Sequence, residues 1–282
     1  MQPSAKAIED PSGVSVGGLA SADRQNPVGR PDGVSLVIPA YNEADCIQGA
    51  IRSYLSPLAK SGVPYEVIVV ADGSDATPDA VRAMGDPSVR VLEYDRRLGK
   101  GGAVIEGFKA SRFARVGYTD ADGSLHPDSL TSLIELSAQY DCVFGSRWIP
   151  GSVWLAREPR SREVAGRVFN VLIRMTLGLD THDTQCGAKF YSAAFLDRLL
   201  PSVYVNNETT DVSFIFHAKR LGGKVIETPV VWTNREASRY RLIHTTMYNF
   251  LTIVGMRIAN SPTGRRVPRH VFATLRQVVE NV

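Results

Sequence analysis

From Val34 onward, the hydrophobic positions of this chain switch repeatedly between two spacings. Short runs of apolar, largely β-branched residues, such as VSLVIP and YEVIVVA, are typical of strands buried on both faces. Segments between them, such as EADCIQGAIRSYLSPL, space their apolar residues three and four apart, as one face of a helix requires. The predicted strands cover residues 34–39, 65–71, 89–94, 115–119 and 141–146, and the predicted helices cover 43–58, 77–84, 101–113 and 127–139. This alternation predicts βαβ units and an α/β fold with a mostly parallel sheet.

The regular alternation ends near residue 150. The pattern then predicts helices at 161–179 and 209–223, strands at 188–192 and 224–232, and an amphipathic, arginine-bearing stretch at 238–260. No linker-like segment separates the two halves, so we predict a single domain, residues 34–260, whose second half builds the other wall of a cleft. Residues 1–33 are rich in Pro, Gly and Ser and are predicted to be a disordered tail. Residues 261–282 are predicted to be a basic tail or helix.

Composition narrows the classes of protein to which the chain can belong. A net charge of +3 and a pI near 8.8 are too weakly basic to predict nucleic-acid binding. The three cysteines, Cys46, Cys142 and Cys186, have neither a metal-binding spacing nor a disulfide framework, which favours a reducing cytosol. No run reaches the roughly 18 apolar residues of a membrane span. We therefore expect a cytoplasmic protein, soluble or peripheral at the inner face of the membrane.

Polar residues follow three of the predicted strands at the point where each strand ends. They occupy residues 39–43, 71–74 and 119–122, and the carboxyl ends of parallel strands are where ligands bind in such sheets. In the last of these segments Asp120 and Asp122 are two residues apart, so in an extended segment both point the same way. Crowding makes each carboxylate harder to ionise, and a cation would relieve it. A solvated Asp-Gly turn is the alternative for this segment taken alone.

Three known binding motifs fail on single residues. The glycine-rich segment RRLGKGGAVIEG lacks a phosphate-binding loop, because Gly101 follows Lys100 where Ser or Thr belongs. The dinucleotide fingerprint fails because Val104 stands in place of its third glycine, which disfavours a nicotinamide-dependent oxidoreductase. An EF-hand loop starting at Asp120 fails because Leu125 stands at the sixth position, which requires glycine.

The motifs that remain resemble those of the inverting, metal-dependent nucleotide-sugar glycosyltransferases of glycosyltransferase family 2, which have the GT-A fold. The matching stretches are VSLVIPAYNEADCI, YEVIVVADGSDATPD, RRLGKGGAVIEGFKAS and GYTDADGSLHPDSL. Further along, VFGSRW, DTQCGAKFYS and DVSFIFHAKRLGGKVIETPVVW are similar to the branch that makes polyprenyl-phosphate sugars, the dolichyl-phosphate mannose and glucose synthases. The resemblance covers roughly residues 34–245, and seven motifs occur in register.

The resemblance implies a metal-binding and catalytic role for the D-x-D segment. Asp120 and Asp122 would hold Mg²⁺ or Mn²⁺, hard cations that take oxygen ligands. The metal would act as a Lewis acid by neutralising charge on the departing nucleoside diphosphate. Ala121 would lie against the nucleotide sugar, and Lys100 would place a positive charge near the nucleotide.

The resemblance also assigns the nucleoside contacts. Pro39, Tyr41 and Glu43 would frame the nucleoside, with Tyr41 stacking on the base and Glu43 near the ribose. Asp72 matches the aspartate that contacts the edge of the base in this family. The family usually has two aspartates before Gly-Ser, and Ala71 replaces the first of them here.

On the acceptor side the resemblance implies a base and several phosphate-binding arginines. Asp183 in DTQCGAK matches the position proposed as general base in the polyprenyl-phosphate branch. Arg147, with Arg160 or Arg162, would clamp the acceptor phosphate, and Arg239 would lie on a loop that closes over the diphosphate. A phosphate acceptor, largely ionised near neutrality because its second pKa is about 6, needs such cations more than it needs a base.

The chain departs from the family pattern mainly on this acceptor side. Ala188 replaces an aromatic residue and Ser213 replaces an acidic one, which predicts a changed acceptor pocket. The stretch 238–260 is predicted to touch a membrane surface, and packing against the catalytic domain is the alternative for its apolar residues. The residues predicted to enter the interface are Tyr248, Phe250, Leu251, Ile253, Val254 and Met256.

We therefore predict an inverting, metal-dependent hexosyltransferase that uses a nucleoside-diphosphate sugar, UDP-glucose-like or GDP-mannose, and a polyprenyl phosphate acceptor. The first alternative is a transferase of the same fold that acts on a soluble hydroxyl acceptor, such as a sugar or natural product. A non-catalytic nucleotide-sugar-binding protein is the second, and the intact D-x-D segment together with Asp183 disfavours it. No partner nucleic acid is predicted.

Overall fold

The computed structural model describes residues 29–156, 160–203, 207, 209–234 and 242–261 of the 282-residue chain. The side chains of residues 160, 162 and 242–248 lie outside this description. The strands are β1 Val34–Ala40, β2 Tyr65–Ala71, β3 Val89–Glu93, β4 Arg115–Thr119, β5 Cys142–Ser146, β6 Val153–Ala156, β7 Ala188–Ser192, β8 Val225–Pro229 and β9 Val231–Thr233. The helices are α1 Ile47–Lys60, α2 Thr77–Arg82, α3 Gly99–Ala110, α4 Pro127–Leu136, α5 Arg160–Leu177, α6 Ala193–Leu199, α7 Thr210–Arg220 and α8 Leu242–Ala259, and a 3₁₀ turn, Leu200–Ser202, follows α6.

The central sheet has seven strands in the order β3-β2-β1-β4-β7-β5-β8. Every strand runs parallel except β7, which is antiparallel to both β4 and β5. The predicted α/β fold with a mostly parallel sheet is therefore confirmed. Because the chain runs outward from β1 through β2 to β3 and then returns to place β4 on the other side of β1, the strand order reverses at β1. In such sheets the crevice at the carboxyl ends of these strands is where a ligand binds.

Helices cover both faces of this sheet with buried apolar side chains. On one face α1 and α4 contribute Ile47, Ile51, Leu130 and Leu133, all fully buried. On the other face α3, α5, α6, α7 and α8 contribute a second cluster that is centred on Phe108 and its edge-to-face neighbours Tyr118, Tyr191 and Phe214. The helices packed on its two faces hold the sheet rigid, and the sheet in turn holds the loops at its carboxyl edge in place.

The predicted single strand at 224–232 is wrong in one respect, because the structure divides it into two. β8 joins the central sheet beside β5, whereas β9 leaves it and pairs with β6 in a separate two-stranded sheet. The break falls after Pro229, which lacks an N–H for continuing the ladder. The short strand β6, which the sequence pattern did not indicate, is three-quarters exposed positions, so it has no apolar alternation to detect.

Within the predicted 238–260 stretch, residues 242–259 form helix α8, which packs against α5, and residues 238–241 lie outside the described residues. Ile253 and Met256 are buried in the core, so the prediction that these two residues face a membrane is wrong. Leu251 is exposed, Phe250 and Val254 are half-buried, and the side chain of Tyr248 lies outside the described set. Among the described residues no helix is long and apolar enough to cross a membrane.

Of the predicted N-terminal tail, residues 29–33 are described and are attached to the domain. The backbone N–H groups of Ala114 and Arg115 donate to the carbonyls of Pro31 and Gly33, and Arg30 forms an ion pair with Asp197 at 2.9 Å. Residues 1–28 and 262–282 lie outside the described residues, and the two tails stay predictions there.

Candidate active site

The loops that follow β1 and β2 are joined by hydrogen bonds into one unit. Asn42 has a left-handed backbone conformation, with φ of 57°, which turns the chain sharply after β1. Its side-chain oxygen accepts a hydrogen bond from the N–H of Ser74 at 2.9 Å, and the N–H of Glu43 donates to the Thr77 hydroxyl at 2.9 Å. These bonds hold the predicted nucleoside-binding segments 39–43 and 71–74 side by side, as predicted from their positions at strand ends.

Tyr41, Asp72 and Arg97 form one cluster at this edge. The Arg97 guanidinium lies over the Tyr41 ring at 3.6 Å from its centre and donates to Asp72 at 2.6 Å. The other oxygen of Asp72 accepts from the backbone N–H groups of Leu98 and Gly99, at 2.7 and 2.9 Å. Asp72 thus fixes the start of α3, and a base that stacks on Tyr41 would use the ring face opposite Arg97. The predicted contact of Asp72 with a base stays a prediction.

Asp120 and Asp122 lie at the carboxyl end of β4, directly beside β1. Asp122 is half-buried, and one of its oxygens accepts from the N–H of Ser124 at 2.9 Å. Burial, and next the charge of Asp120, raise the pKa of the Asp122 carboxyl. Burial also raises the pKa of Glu43, and the charge of Asp122 adds to that increase. Three carboxyl groups from two loops therefore share one electrostatic environment, which an added cation would stabilise.

Lys100, in the first turn of α3, connects the D-x-D segment to α7. Its Nζ lies 2.7 Å from Asp120 Oδ1 and 3.4 Å from Asp211 Oδ2. Asp211 in turn lies 3.3 Å from Nζ of Lys189, a fully buried residue of β7. Burial lowers the pKa of Lys189 to about 7 and raises the pKa of Asp211. A row of alternating basic and acidic groups thus runs from the buried strand β7 to the D-x-D segment, and it holds Asp120 and Lys100 in place.

The residues of this edge fit a divalent cation shared with substrate. Among the described residues no group of three or more His, Cys, Asp or Glu side chains is placed to hold a metal by itself. Asp120 and Asp122 would supply two carboxylates, and diphosphate and water oxygens would complete the shell, an arrangement that Mg²⁺ often adopts. Gly187 supports this fit, because a Cβ at that position would overlap the Asp120 carboxylate.

We expect Gly187→Ala to weaken Mn²⁺-dependent binding of nucleoside diphosphate by about 10- to 100-fold, the usual loss when a metal ligand's support is disturbed. The methyl group has no room unless Asp120 moves. Calorimetric titration of the diphosphate with Mn²⁺ measures the effect. Gly166→Ala is the matched control, since nothing lies within 4 Å of its added Cβ. Equal affinities for the two variants would show that the position of Asp120 does not matter.

Asp183 and Arg147 form a buried pair on the acceptor side. One Asp183 oxygen accepts from the backbone N–H and Nε of Arg147, at 3.0 and 2.7 Å, and the other accepts from Nη2 at 3.0 Å and from the N–H of Gln185 at 3.1 Å. Burial alone would raise the pKa of Asp183, but the charge and hydrogen bonds of Arg147 hold it below its usual range. This arrangement makes Asp183 the residue that positions Arg147, and its predicted role as general base stays a prediction.

The chain's three tryptophans surround Arg147. Its guanidinium carbon lies 5.8 Å from the ring centres of Trp148 and Trp154 and 5.5 Å from that of Trp232. Arg167 of α5 lies over the outer ring, Trp148, at 4.4 Å. Because Asp183 already engages Nε and Nη2 of Arg147, clamping a phosphate through that same pair of nitrogens would require breaking the ion pair. The predicted phosphate contact of Arg147 stays a prediction.

The remaining predicted residues lie as follows. Pro39 is half-buried near the end of β1, and Ala121 is buried, with its carbonyl 3.8 Å from Cys46 Sγ. Ala188 and Ser213 are fully buried, so neither side chain lines a surface pocket itself, and the predicted change of the acceptor pocket stays a prediction. Arg239 and the side chains of Arg160 and Arg162 lie outside the described residues.

Sequence reasoning missed Arg97, Gly187 and Lys189. Arg97 precedes the glycine-rich turn and resembles any solvated turn arginine, and Lys189 resembles a surface lysine of an edge strand. Gly187 lies inside the motif DTQCGAK, so the glycine itself was visible in the sequence. The residue that leaves no room for a side chain there, Asp120, is far away along the chain, so its closeness was not.

Comparison with known proteins identifies the family. The sequence profile described as "Glycosyl transferase family 2" matches residues 35–200, more than half of the chain. The chain belongs to glycosyl transferase family 2. The family predicted from the motifs is therefore confirmed.

Several curated relatives of this family are similar to the chain. Glycosyltransferase AglD of Haloferax volcanii is 37% identical over 218 residues, which is 74% of this chain but 34% of that protein. The chain thus spans about a third of that relative's length. Undecaprenyl-phosphate mannosyltransferase of Micrococcus luteus is 31% identical, and the match covers 74% of this chain and 87% of that protein. Human dolichyl-phosphate beta-glucosyltransferase is 30% identical, and the match covers 73% of this chain and 69% of that protein.

Solved structures confirm the predicted GT-A fold. Mannosyl-3-phosphoglycerate synthase of Rubrobacter xylanophilus superposes with a TM-score of 0.60 at 18% identity, over 82% of this chain and 75% of that one. Glucosyl-3-phosphoglycerate synthase of Mycobacterium tuberculosis, solved with Mn²⁺, UDP and its product, superposes with a TM-score of 0.58 at 24% identity, over 81% and 79%. At these identities the likeness shows the fold alone.

Proposed function

We propose that this family 2 protein transfers a hexose, with inversion, from a nucleoside-diphosphate sugar to a polyprenyl phosphate, and that it uses Mg²⁺ or Mn²⁺. The observation that carries the proposal is the group formed by Asp120, Asp122 and Lys100 at the point where the strand order of the sheet reverses. Two carboxylates and a lysine ammonium in one place suit a diphosphate with its cation. The names of the Micrococcus and human relatives support a lipid-phosphate acceptor.

On the donor side each residue has a distinct task. Asp120 and Asp122 would hold the cation, which when bound neutralises charge on the departing diphosphate. Lys100 donates to Asp120, and its ammonium group would add positive charge beside the diphosphate. Tyr41, braced by Arg97, would carry the base, and Glu43 would face the ribose from the neighbouring loop.

On the acceptor side a phosphate acceptor needs positively charged side chains more than it needs a general base. In a single in-line displacement the acceptor oxygen must approach the anomeric carbon opposite the diphosphate. A phosphate monoester carries that oxygen already ionised near neutrality, since its second pKa is about 6. Asp183, whose pKa is held low by Arg147, fixes that arginine in its tryptophan surroundings. Arg147 would then attract the acceptor phosphate without having to supply or take a proton.

Thermal-shift measurements with UDP- and GDP-sugars, each with Mn²⁺ and with chelator, test the donor side. A ligand present at about 100 times its Kd should stabilise the fold by about 2.7 kcal/mol. We expect one nucleotide series to raise the melting temperature with Mn²⁺ and to lose that effect with chelator. Absence of any shift with both nucleotide series would contradict the proposed donor class.

A further inference from the structure

Helix α5 carries apolar side chains on its exposed face as well as on its buried face. Its repeat of about 3.6 residues per turn places Asn170, Ile173 and Leu177 on the buried side. The opposite side, which faces away from the core, carries large apolar residues that are 42–77% exposed: Val164, Val168, Val171, Leu172 and Met175. A helix of a soluble protein normally turns polar residues outward. An outward face made of apolar side chains marks a surface that something covers.

The inner face of the same helix holds the acceptor side of the candidate active site. The Asn170 amide oxygen accepts from the hydroxyl and the N–H of Thr184, at 2.7 and 3.3 Å, and its nitrogen donates to the His182 carbonyl. Asp183 lies between these two anchored residues and holds Arg147. One turn of helix before Asn170, Arg167 extends over Trp148, which borders Arg147. Helix α5 therefore stands between the acceptor side and its own apolar outer face.

Other exposed apolar residues lie on β6 and on α8. Val153 and Leu155 of β6 flank Trp154, and Leu251 and Ile258 lie on α8, which packs against α5. Elsewhere among the described residues, Tyr41 is the remaining large apolar side chain with comparable exposure. Apart from Tyr41, the exposed large apolar side chains of the described residues thus lie in the acceptor half of the molecule.

We propose that the outer face of α5 is a membrane-docking surface, which lies flat in the interface of a lipid bilayer. This inference rests on the proposed polyprenyl phosphate acceptor, whose long hydrocarbon chain stays in the bilayer. Docking through α5 would bring the acceptor side, with Trp148 and Arg147, close to the bilayer surface. The acidic Glu163 of α5 is neutralised by Arg167 at 3.0 Å, and the exposed Arg257 of the adjoining helix α8 suits anionic headgroups.

Vesicle co-sedimentation with two charge-inserting variants, Val168→Glu and Met175→Glu, tests this surface. The vesicles contain phosphatidylcholine alone or mixed with phosphatidylglycerol, at low and high salt. We expect the wild-type protein to bind the anionic vesicles and each variant to bind about tenfold or more weakly, since a carboxylate replaces a side chain that would be buried in the interface. Ala59→Glu, on the exposed side of α1, is the matched control and should bind as wild type does. Met175→Leu, which keeps an apolar side chain at that position, should also bind as wild type does.

Circular dichroism and melting temperature establish that each variant is folded, and light scattering after gel filtration reports oligomeric state. Three outcomes would each overturn the proposal. They are wild-type protein that binds neither type of vesicle, glutamate variants that bind as well as wild type, and a wild-type dimer that Met175→Glu dissociates. Transfer by wild type to a short, water-soluble polyprenyl phosphate is measured in parallel. That transfer tests the proposed function alone, so its success without vesicle binding would reject only the docking surface.

Discussion

Asp122→Ala is expected to reduce kcat/KM for sugar transfer by about a hundredfold or more, because a Lewis-acid cation supplies several kcal/mol of transition-state stabilisation and this change would remove one of the two protein ligands proposed for it. The same substitution should abolish the difference in nucleoside diphosphate affinity between Mn²⁺ and chelator. Calorimetric titration of wild type and variant under both conditions measures it. The pKa of the half-buried Asp122 carboxyl is raised, so the metal-free fold gains relief from charge crowding when this group is removed.

Asp128→Ala is the matched control for this change. Asp128 lies six residues further along the same segment, with its side chain 88% exposed and only a weak contact with His126 at 3.6 Å. It should keep wild-type affinity and rate. Nucleotide affinity that is equal for wild type and Asp122→Ala, with metal and with chelator alike, would refute the metal role of the D-x-D segment.

Asp183→Asn is expected to lower the stability of the fold by about 3–5 kcal/mol, because it leaves the guanidinium of Arg147 without the carboxylate that compensates its burial. Asp183 is 1% exposed and Arg147 19% exposed, so water cannot substitute fully. Since the folded-state pKa of Asp183 is depressed, its stabilising effect is complete above the unfolded pKa of about 3.9 and is lost as pH falls through the lower folded value. Urea unfolding at pH 7 and below pH 4 measures both effects.

The same variant separates a phosphate acceptor from a hydroxyl acceptor. A positioned general base contributes about 10²- to 10⁴-fold, so a hydroxyl acceptor predicts a loss of that size in kcat at neutral pH. A phosphate acceptor predicts a smaller loss that grows below about pH 6, where the acceptor gains a proton. Asp79→Asn, whose partner Arg82 is on the surface, should change stability by less than about 1 kcal/mol. Wild-type stability and wild-type rates across this range for Asp183→Asn would exclude every role assigned to Asp183.

The sheet could be predicted from the sequence because its strands are buried on both faces and are separated by long helices. Val67 to Val70 are all fully buried, and such runs are distinct from the three- and four-residue spacing of α1. The same logic failed at 224–232, where a continuous apolar run passes from one sheet to another. The run itself carries no information on which partner strand lies beside it.

The position of the candidate site was also predictable, since the D-x-D segment ends a strand, whereas its supporting contacts were not. Lys100, Asp211 and Lys189 come from three elements, and their pairing depends on how α3, α7 and β7 pack. A buried lysine and a surface lysine look alike in a sequence. The role of Asp183 could be assigned only by resemblance, and its bidentate pairing with Arg147 became visible only in three dimensions.

The two faces of α5 show the same limit. Val164 and Ile173 are both apolar, yet one is 59% exposed and the other fully buried. Hydrophobic spacing indicates a helix in either case, and only the packing of α8 and of the 182–184 segment decides which side faces the core.

The most direct test of the proposed function follows labelled sugar from UDP-glucose and from GDP-mannose into organic-extractable lipid, with a polyprenyl phosphate as acceptor. We predict transfer from one of the two donors in the presence of Mn²⁺ or Mg²⁺, no transfer with chelator, and no transfer by Asp122→Ala. Label that enters a water-soluble hydroxyl acceptor but never the lipid phosphate, or that enters the lipid equally well with chelator, would contradict the proposal.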